Sequence, residues 1–373
     1  MIVYLLMKKN FCLKQEKIKT ILMRNLSWFN KIMLFLNIVL AIATFVAYIL
    51  PLLAPTFFPL LSVLTLSLPF LLILNLLFFI YWSIQLKRQL LVSGMVLLIG
   101  ITFINKFYKF TETNLPETEN DFKVMSYNVR LFNKFGWSEK QTVPVEISDF
   151  VKENDPDILC IQEFSHTEEF DYSAYKHKYI LSQGNKIKTG QAIFSKFNIV
   201  NTGEIVLPHS NNNVIFADIK KGKDTIRVYS MHLQSIKISP DVTEISEDLN
   251  EINQKKSEQM FKRISLAFRK QQAQAQLIMD HKKKCRYPII ICGDMNNSAF
   301  SYVYRIIKGD LQDAFQVAGS GFGKSYDFNY YPARIDYIFA DKKIKIKNFR
   351  NFPEIVDSDH FPIMARMAIE DEL

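Results

Sequence analysis

Residues Pro288–Ser298 read PIIICGDMNNS. Ile289, Ile290, Ile291 and Cys292 are an apolar run too short for a helix and read as a buried strand. Gly293 permits a sharp turn of the backbone. Asp294 and Asn296 then project a carboxylate and an amide from the strand's end, and Asn297 and Ser298 carry helix-start chemistry. An Asx-type turn would account for this segment in isolation. Other strand ends carry the same kind of residue, and in open α/β sheets ligands bind beyond such ends.

Working outward, Lys123–Ser126 begins a strand that runs into Tyr127, Asn128, Val129 and Arg130. Pro144–Glu153 has helical spacing, with Val145, Ile147, Phe150 and Val151 on one face, and Asn154-Asp155-Pro156-Asp157 stops it. Ile158–Ile161 is a second buried strand, delivering Gln162 and Glu163. Gly190–Ser195 is a strand entered through glycine. Asn213–Ile219 and Thr225–Ser230 pair across a turn at Gly222, and the second delivers Met231, His232, Leu233 and Gln234. A long amphipathic helix spans about Thr243 to Lys284, its apolar face built from Leu249, Ile252, Met260, Ile264, Phe268 and Ile278. Ser301–Ile307 is a short helix. Arg334–Phe339 is a strand containing Asp336, and Asp359-His360 precede a last strand, Phe361–Ala368. Hairpins mixed with helical crossovers predict a two-sheet α/β sandwich.

The N-terminal third is different. Ile32 to Leu86 contains no Asp, Glu, Lys or Arg, and a second uncharged run covers Gln89 to Asn105. Membrane helices need about 20 apolar residues, so two to three transmembrane helices are expected, near residues 32–53, 57–82 and 90–105. For the shorter third segment a buried soluble helix competes. Residues 1–31 form a basic cytoplasmic flank. Lys87 and Arg88 mark a second cytoplasmic side, so three spans leave everything beyond Lys106 outside the cytoplasm. Two spans reverse that orientation. Residues 1–106 carry ten basic residues and one acidic, whereas residues 107–373 carry 36 of each sign. The net charge of +9 therefore belongs to the membrane flanks and is no nucleic-acid footprint. Cys12, Cys160, Cys285 and Cys292 lack metal-binding spacing. Residues 107–120 read as a linker ahead of a domain over 121–373.

Taken together, SYNVR (126–130), IQE (161–163), GQAIFSK (190–196), SMHLQS (230–235), GDMNNS (293–298), RIDYIF (334–339) and SDHFPI (358–363) resemble the endonuclease/exonuclease/phosphatase superfamily in order and approximate spacing. The resemblance implies a four-layer α/β/β/α fold and divalent-metal-dependent cleavage of a phosphoester. It also implies roles: Glu163 and Asp359 as ligands of Mg²⁺ or Mn²⁺, and Asp294 as acceptor of a proton from the attacking water. Asn296 would orient that water, and His360 would hold a phosphoryl oxygen, paired with Asp336. His232 would be a further donor and Asn128 an orienting amide. Arg130 departs from the pattern, because some abasic-site nucleases have an acidic residue there; it is a candidate phosphate ligand. The expected protein is a phosphoesterase, by preference a phosphodiesterase, integral to a bacterial inner membrane with its catalytic domain outside the cytoplasm. Its substrate is a nucleic acid or a lipid head group. An extracytoplasmic nuclease, a lipid head-group phosphodiesterase and an inactive binding module are the alternatives, and oligomeric state is left open.

Overall fold

In the computed structural model, Ile289–Asp294 is a strand in which every residue is buried. The two-residue period sorts its side chains. Ile290 and Cys292 face a core shared by two sheets, while Ile289 and Ile291 face a core beneath helices. The structure describes residues 26–183, 189–210, 212–236, 254–328 and 331–370.

In chain order the strands are β1 (Asp121–Asn128), β2 (Ile158–Phe164), β3 (His177–Gln183), β4 (Thr189–Ser195), β5 (Asn198–Ile205), β6 (Val214–Lys221) and β7 (Asp224–His232). They continue as β8 (Ile289–Asp294), β9 (Gln312–Asp313), β10 (Tyr326–Phe328), β11 (Tyr331–Ala333), β12 (Asp336–Ala340), β13 (Ile344–Asn351) and β14 (Ile363–Ile369). One six-stranded sheet has the order β13-β14-β1-β2-β4-β3 and the other β5-β6-β7-β8-β12-β9, with β10-β11 a separate hairpin. Each large sheet has a parallel pair inside it, β1 with β2 and β7 with β8.

The helices are α1 (Trp28–Ile49), α2 (Pro59–Ser62), α3 (Leu68–Ile84), α4 (Leu90–Phe107), α5 (Val143–Asn154), α6 (Gln254–Lys282), α7 (Tyr302–Lys308) and α8 (Ala314–Ala318). Val143, Ile147, Phe150 and Val151 of α5 cover the outer face of the first sheet. Ala275 and Ile278 of α6, with Val303, Tyr304 and Ile307 of α7, cover the second. The result is the expected four-layer α/β/β/α sandwich.

The chain divides into two compact units, one of residues 1–49 and 67–103, the other of 50–66 and 104–373. In the first, apolar helices are joined by buried polar contacts: Asn37 Nδ2 donates to Ser93 Oγ at 2.6 Å, Trp82 Nε1 to Asn37 Oδ1 at 3.1 Å, and Asn75 Nδ2 to Thr44 Oγ1 at 2.9 Å. Such contacts suit helices whose surroundings offer no water to compete. Three helical stretches, Trp28–Leu52, Pro59–Ile84 and Leu90–Phe107, are long and apolar enough to cross a membrane. The middle stretch is not one continuous α-helix: a 3₁₀ turn over Val63–Ser67 separates α2 from α3, which begins with a proline in its first turn.

Among the described residues six strands escape the sequence reading: β3, β5, β13, the two-residue β9 and the short hairpin β10-β11. β3, β5, β9 and β13 lie at sheet edges; β5 and β13 mix exposed with buried positions, and β3 has none fully buried. Edge strands carry polar side chains, which blurs the apolar run that marks a strand. β2 also extends past Ile161, so Gln162 and Glu163 lie within it. Of the long helix, residues 243–253, with Leu249 and Ile252, lie outside the described residues, and Met260, on the same face as Ile264, is exposed rather than buried.

Candidate active site

The C-terminal ends of the two parallel pairs face each other across the sandwich. β1 delivers Asn128, β2 Glu163, β7 His232 and β8 Asp294. Both positions that turn the chain here demand unusual backbone. Gly293 has φ +124°, and a Cβ there would collide with the Met231 carbonyl oxygen on the neighbouring strand. Glu163 has φ 52° at a bulge between β2 and β4, and bulges re-aim side chains at sites.

Asp294 Oδ2 is the focus. Asn296 Nδ2 donates to it at 2.9 Å and Asn128 Nδ2 at 3.3 Å. His232 Nε2 and His360 Nε2 approach it to 3.6 and 3.7 Å. The second carboxylate oxygen accepts the Asn296 backbone N–H at 2.7 Å. Burial raises the Asp294 carboxyl to about 8, opposed by the neighbouring His360 imidazolium and reinforced by the Asp336 charge. Burial alone would lower the His360 imidazole. The carboxylates of Asp336 and Asp294 outweigh it and raise the group to about 10, with Asp336 Oδ2 3.0 Å from Nδ1. His360 is therefore doubly protonated at neutral pH. His232 goes the other way: burial holds it below its ordinary value against the pull of Glu163, 3.7 Å away.

Asn128, Glu163, His232, Asp294, Asn296, Asp336 and His360 thus form one connected cluster. Asp359 and Arg130 stand beside it as a pair, with Arg130 Nε 3.5 Å from Asp359 Oδ2. No described hydrogen bond or ion pair joins Asp359 to Glu163. Arg130 stacks on Trp137 at 4.6 Å from the ring centroid. It opens a turn of four left-handed residues, Arg130–Asn133. Asn133 fixes that turn, its amide donating to the carbonyls of Ser138 and Lys140 at 2.8 Å each. The buried Phe132 packs on Phe164 and Phe170.

Ligand atoms of Asp294, Asp336 and His360 all lie within 4.8 Å of one another, so this group is geometrically able to hold a metal ion. Its chemistry argues otherwise: Asp336 and His360 already satisfy each other, and hard divalent cations prefer oxygen donors to imidazole. Glu163 fits better. Its side chain is about one-third exposed to the cleft, 32 %. Its one described hydrogen bond is a long one, 3.4 Å from Asn128 Nδ2.

Supporting residues were harder to read. A buried polar chain crosses between the sheets beneath the cluster. Ser126 Oγ donates to Gln162 Oε1 at 3.3 Å, Gln162 Nε2 to Ser230 Oγ at 2.9 Å, and Ser230 Oγ to Gln191 Oε1 at 2.7 Å. Gln191 Nε2 then reaches Asn213 Oδ1 at 2.7 Å. From α6, Gln271 Nε2 donates to the Gln234 and Asn296 carbonyls at 2.7 and 3.0 Å, and Gln271 Oε1 accepts from Asn297 Nδ2 at 2.7 Å. Ser325 Oγ accepts the N–H groups of Ile335 and Asp336 at 3.0 Å. Ser358 Oγ donates to the Asn128 carbonyl at 2.8 Å. Polar residues interrupting apolar strands were the available signal for Gln162, Gln191 and Ser230. Nothing local marks Gln271 or Ser325.

Two family models match the chain. One is described as a domain of unknown function (DUF8431) and covers residues 30–107; the other, the endonuclease/exonuclease/phosphatase family, covers residues 125–360. No curated protein matches by sequence. Among solved structures, the human Nocturnin catalytic domain with bound sulfate is similar at 16 % identity and TM-score 0.50, over 70 % of this chain and 97 % of that one. An endonuclease/exonuclease/phosphatase from Bacteroides vulgatus gives 16 % and 0.49, over 68 % and 100 %. A mannosyl-6-phosphatase of Bacteroides thetaiotaomicron VPI-5482 gives 20 % and 0.48, over 66 % and 100 %.

Proposed function

Because the chain belongs to the endonuclease/exonuclease/phosphatase family, we propose that it is a membrane-tethered, divalent-metal-dependent phosphodiesterase. The observation that carries this reading is the convergence on Asp294 Oδ2 of two amides and two imidazoles drawn from both sheets. Burying a carboxylate so completely is costly unless its neighbours are arranged around its charge.

Glu163 would hold Mg²⁺ or Mn²⁺ together with water and a phosphate oxygen. A cation bound there supplies positive charge against the phosphoryl oxygens and favours the ionised form of Asp294. Asp294 accepts a proton from the attacking water while Asn296 orients it. The water oxygen bonds to phosphorus and the bond from phosphorus to the leaving oxygen breaks; that oxygen takes a proton from solvent water, and Asp294 returns the proton it accepted to solvent. His360, kept protonated by Asp336, donates to a non-bridging oxygen as negative charge builds on it. His232, held neutral, offers a single N–H to the same group. Asn128 bridges Glu163 and Asp294 and keeps their spacing. Asp359, partly exposed and paired with Arg130, would be a second carboxylate available to the cation.

The uncharged connector at residues 50–66 supports placement outside the cytoplasm. It packs on the catalytic core: Arg305 Nε donates to the Pro51 carbonyl at 2.7 Å, and the Thr56 N–H to Gln272 Oε1 at 3.0 Å. Connector and core must then share one side of the membrane. With Lys87 and Arg88 on the cytoplasmic side, α4 has to cross for that to hold.

The full-length chain in detergent, given bis(p-nitrophenyl) phosphate with Mg²⁺ or Mn²⁺, should release nitrophenol. EDTA should stop the reaction and added metal restore it. A metal-independent rate, or none with either ion, would remove the reading. Plasmid DNA, RNA and phospholipid as further substrates separate nuclease from lipid specificity.

A further inference from the structure

The connector Leu50–Leu66, LPLLAPTFFPLLSVLTL, carries no charged residue; its two ends belong to stretches of membrane-crossing composition, Trp28–Leu52 and Pro59–Ile84, and only residues 53–58 lie between them. One face of the connector is fixed to the catalytic core. Val63 and Leu66 pack against buried Ile236, Ile264, Ala267 and Phe268, and Thr56 is gripped by Gln272 and by Arg269, whose Nη2 donates to the Thr56 carbonyl at 3.4 Å. The other face is bare: Phe57 is 78 % exposed, and Leu52, Phe58, Leu60 and Leu61 are exposed as well. The apolar stripe of α6 runs on beyond the connector. Met260 stands one helical turn before Ile264 on the same face, and both Met260 and Phe261 are exposed.

This apolar face adjoins the active site through the same helix. Gln272 and Arg269 hold the connector, while Gln271, between them, holds the backbone of Asn296 and Gln234. The separation is about one helix diameter, roughly 10–12 Å. Ile236, packed under the connector, lies four residues beyond His232.

We propose that Phe57, Phe58, Leu60, Leu61, Met260 and Phe261 form a face embedded in the lipid surface, so that the active site draws its phosphodiester from an amphiphile resident in the bilayer. The occupant is lipid rather than a protein partner because both ends of the connector lie within apolar stretches long enough to cross a membrane, with no charge between them. The proposal rests on the phosphodiesterase reading and names its substrate class.

The test uses the full chain in phosphatidylcholine nanodiscs and two probes with the same scissile bond, hexadecyl and ethyl p-nitrophenyl phosphate. Confinement to the bilayer should give the hexadecyl ester a kcat/KM about tenfold or more above the ethyl ester's. The double variant Met260→Glu, Phe261→Glu should erase most of that advantage while leaving ethyl-ester turnover within about twofold. Equal rates for the two esters, or an advantage untouched by the double variant, would overturn the proposal alone. An advantage that grows with the number of chains per disc would assign the face to a second copy and overturn it too. Failure to cleave either ester would instead bring down the phosphodiesterase reading beneath it.

Discussion

Asp294 is where the reading is most exposed to experiment. Asp294→Ala should lower kcat by about 10³-fold, the range for loss of a positioned base. His360→Ala should cost about 10²–10³-fold, as for a lost transition-state donor. Both should keep the native circular-dichroism spectrum, and a variant within a few-fold of the wild type would reassign the residue. Asp336→Asn probes charge rather than shape. His360 stays protonated up to about 10 because carboxylates surround it, so its donor function is lost as pH rises through that value. Removing the Asp336 charge should move the alkaline limb of the pH–rate profile to lower pH, and an unmoved limb would detach that limb from His360. Each of these side chains was legible in the sequence, because a polar residue at the end of an apolar run is conspicuous. The pairing of His360 with Asp336 came with the family resemblance and is present, whereas the Arg130–Asp359 pair, which joins residues far apart in the chain, was not legible.

At the scale of elements, β1 is anchored at one end by charge and used at the other for chemistry. Asp121 accepts from Lys347 Nζ and Arg366 Nη1, each at 2.6 Å, with all three side chains almost wholly buried. Burial would raise its carboxyl, but Lys347, Thr118 and Arg366 hold it well below the ordinary range. A depressed folded-state value stabilises the protein above the unfolded carboxyl's titration and loses that contribution as pH falls through the folded one. Asp121→Asn should therefore cost about 3 kcal/mol, since it leaves buried cations unpaired. A lower melting temperature at neutral pH, with the difference from wild type shrinking in acid, is the expected result. Helix α6 acts on the site from outside. Gln271→Ala should lower kcat with little change in KM, because the Asn296 loop loses its clamp while the cleft keeps its shape; a rise in KM alone would point to substrate contact. The strands of the sheet interiors announced themselves by unbroken apolar runs. The edge strands β3, β5 and β13 did not, and a helix's hold on a distant loop leaves no local trace at all.

For the whole molecule, two sheets followed from hairpins mixed with helical crossovers, the four-layer order came with the family resemblance, and the apolar N-terminal helices followed from length and absence of charge. Composition left the parity of the spans open, and the contacts of Pro51 and Thr56 with the catalytic core bear on it directly. A reporter fused after Leu373 should be active only outside the cytoplasm, and one inserted between Lys87 and Arg88 only inside it. Agreement of the two reporters on one side would reverse the topology. The sheet order has a consequence for biogenesis. β14 sits between β13 and β1 and pairs with both, so until residues 363–369 have been made β1 is unzipped along one margin of the first sheet. The strand that brings Asn128 to the cluster is thus completed by the segment that follows His360, and the site is closed by residues far downstream of the ones it gathers.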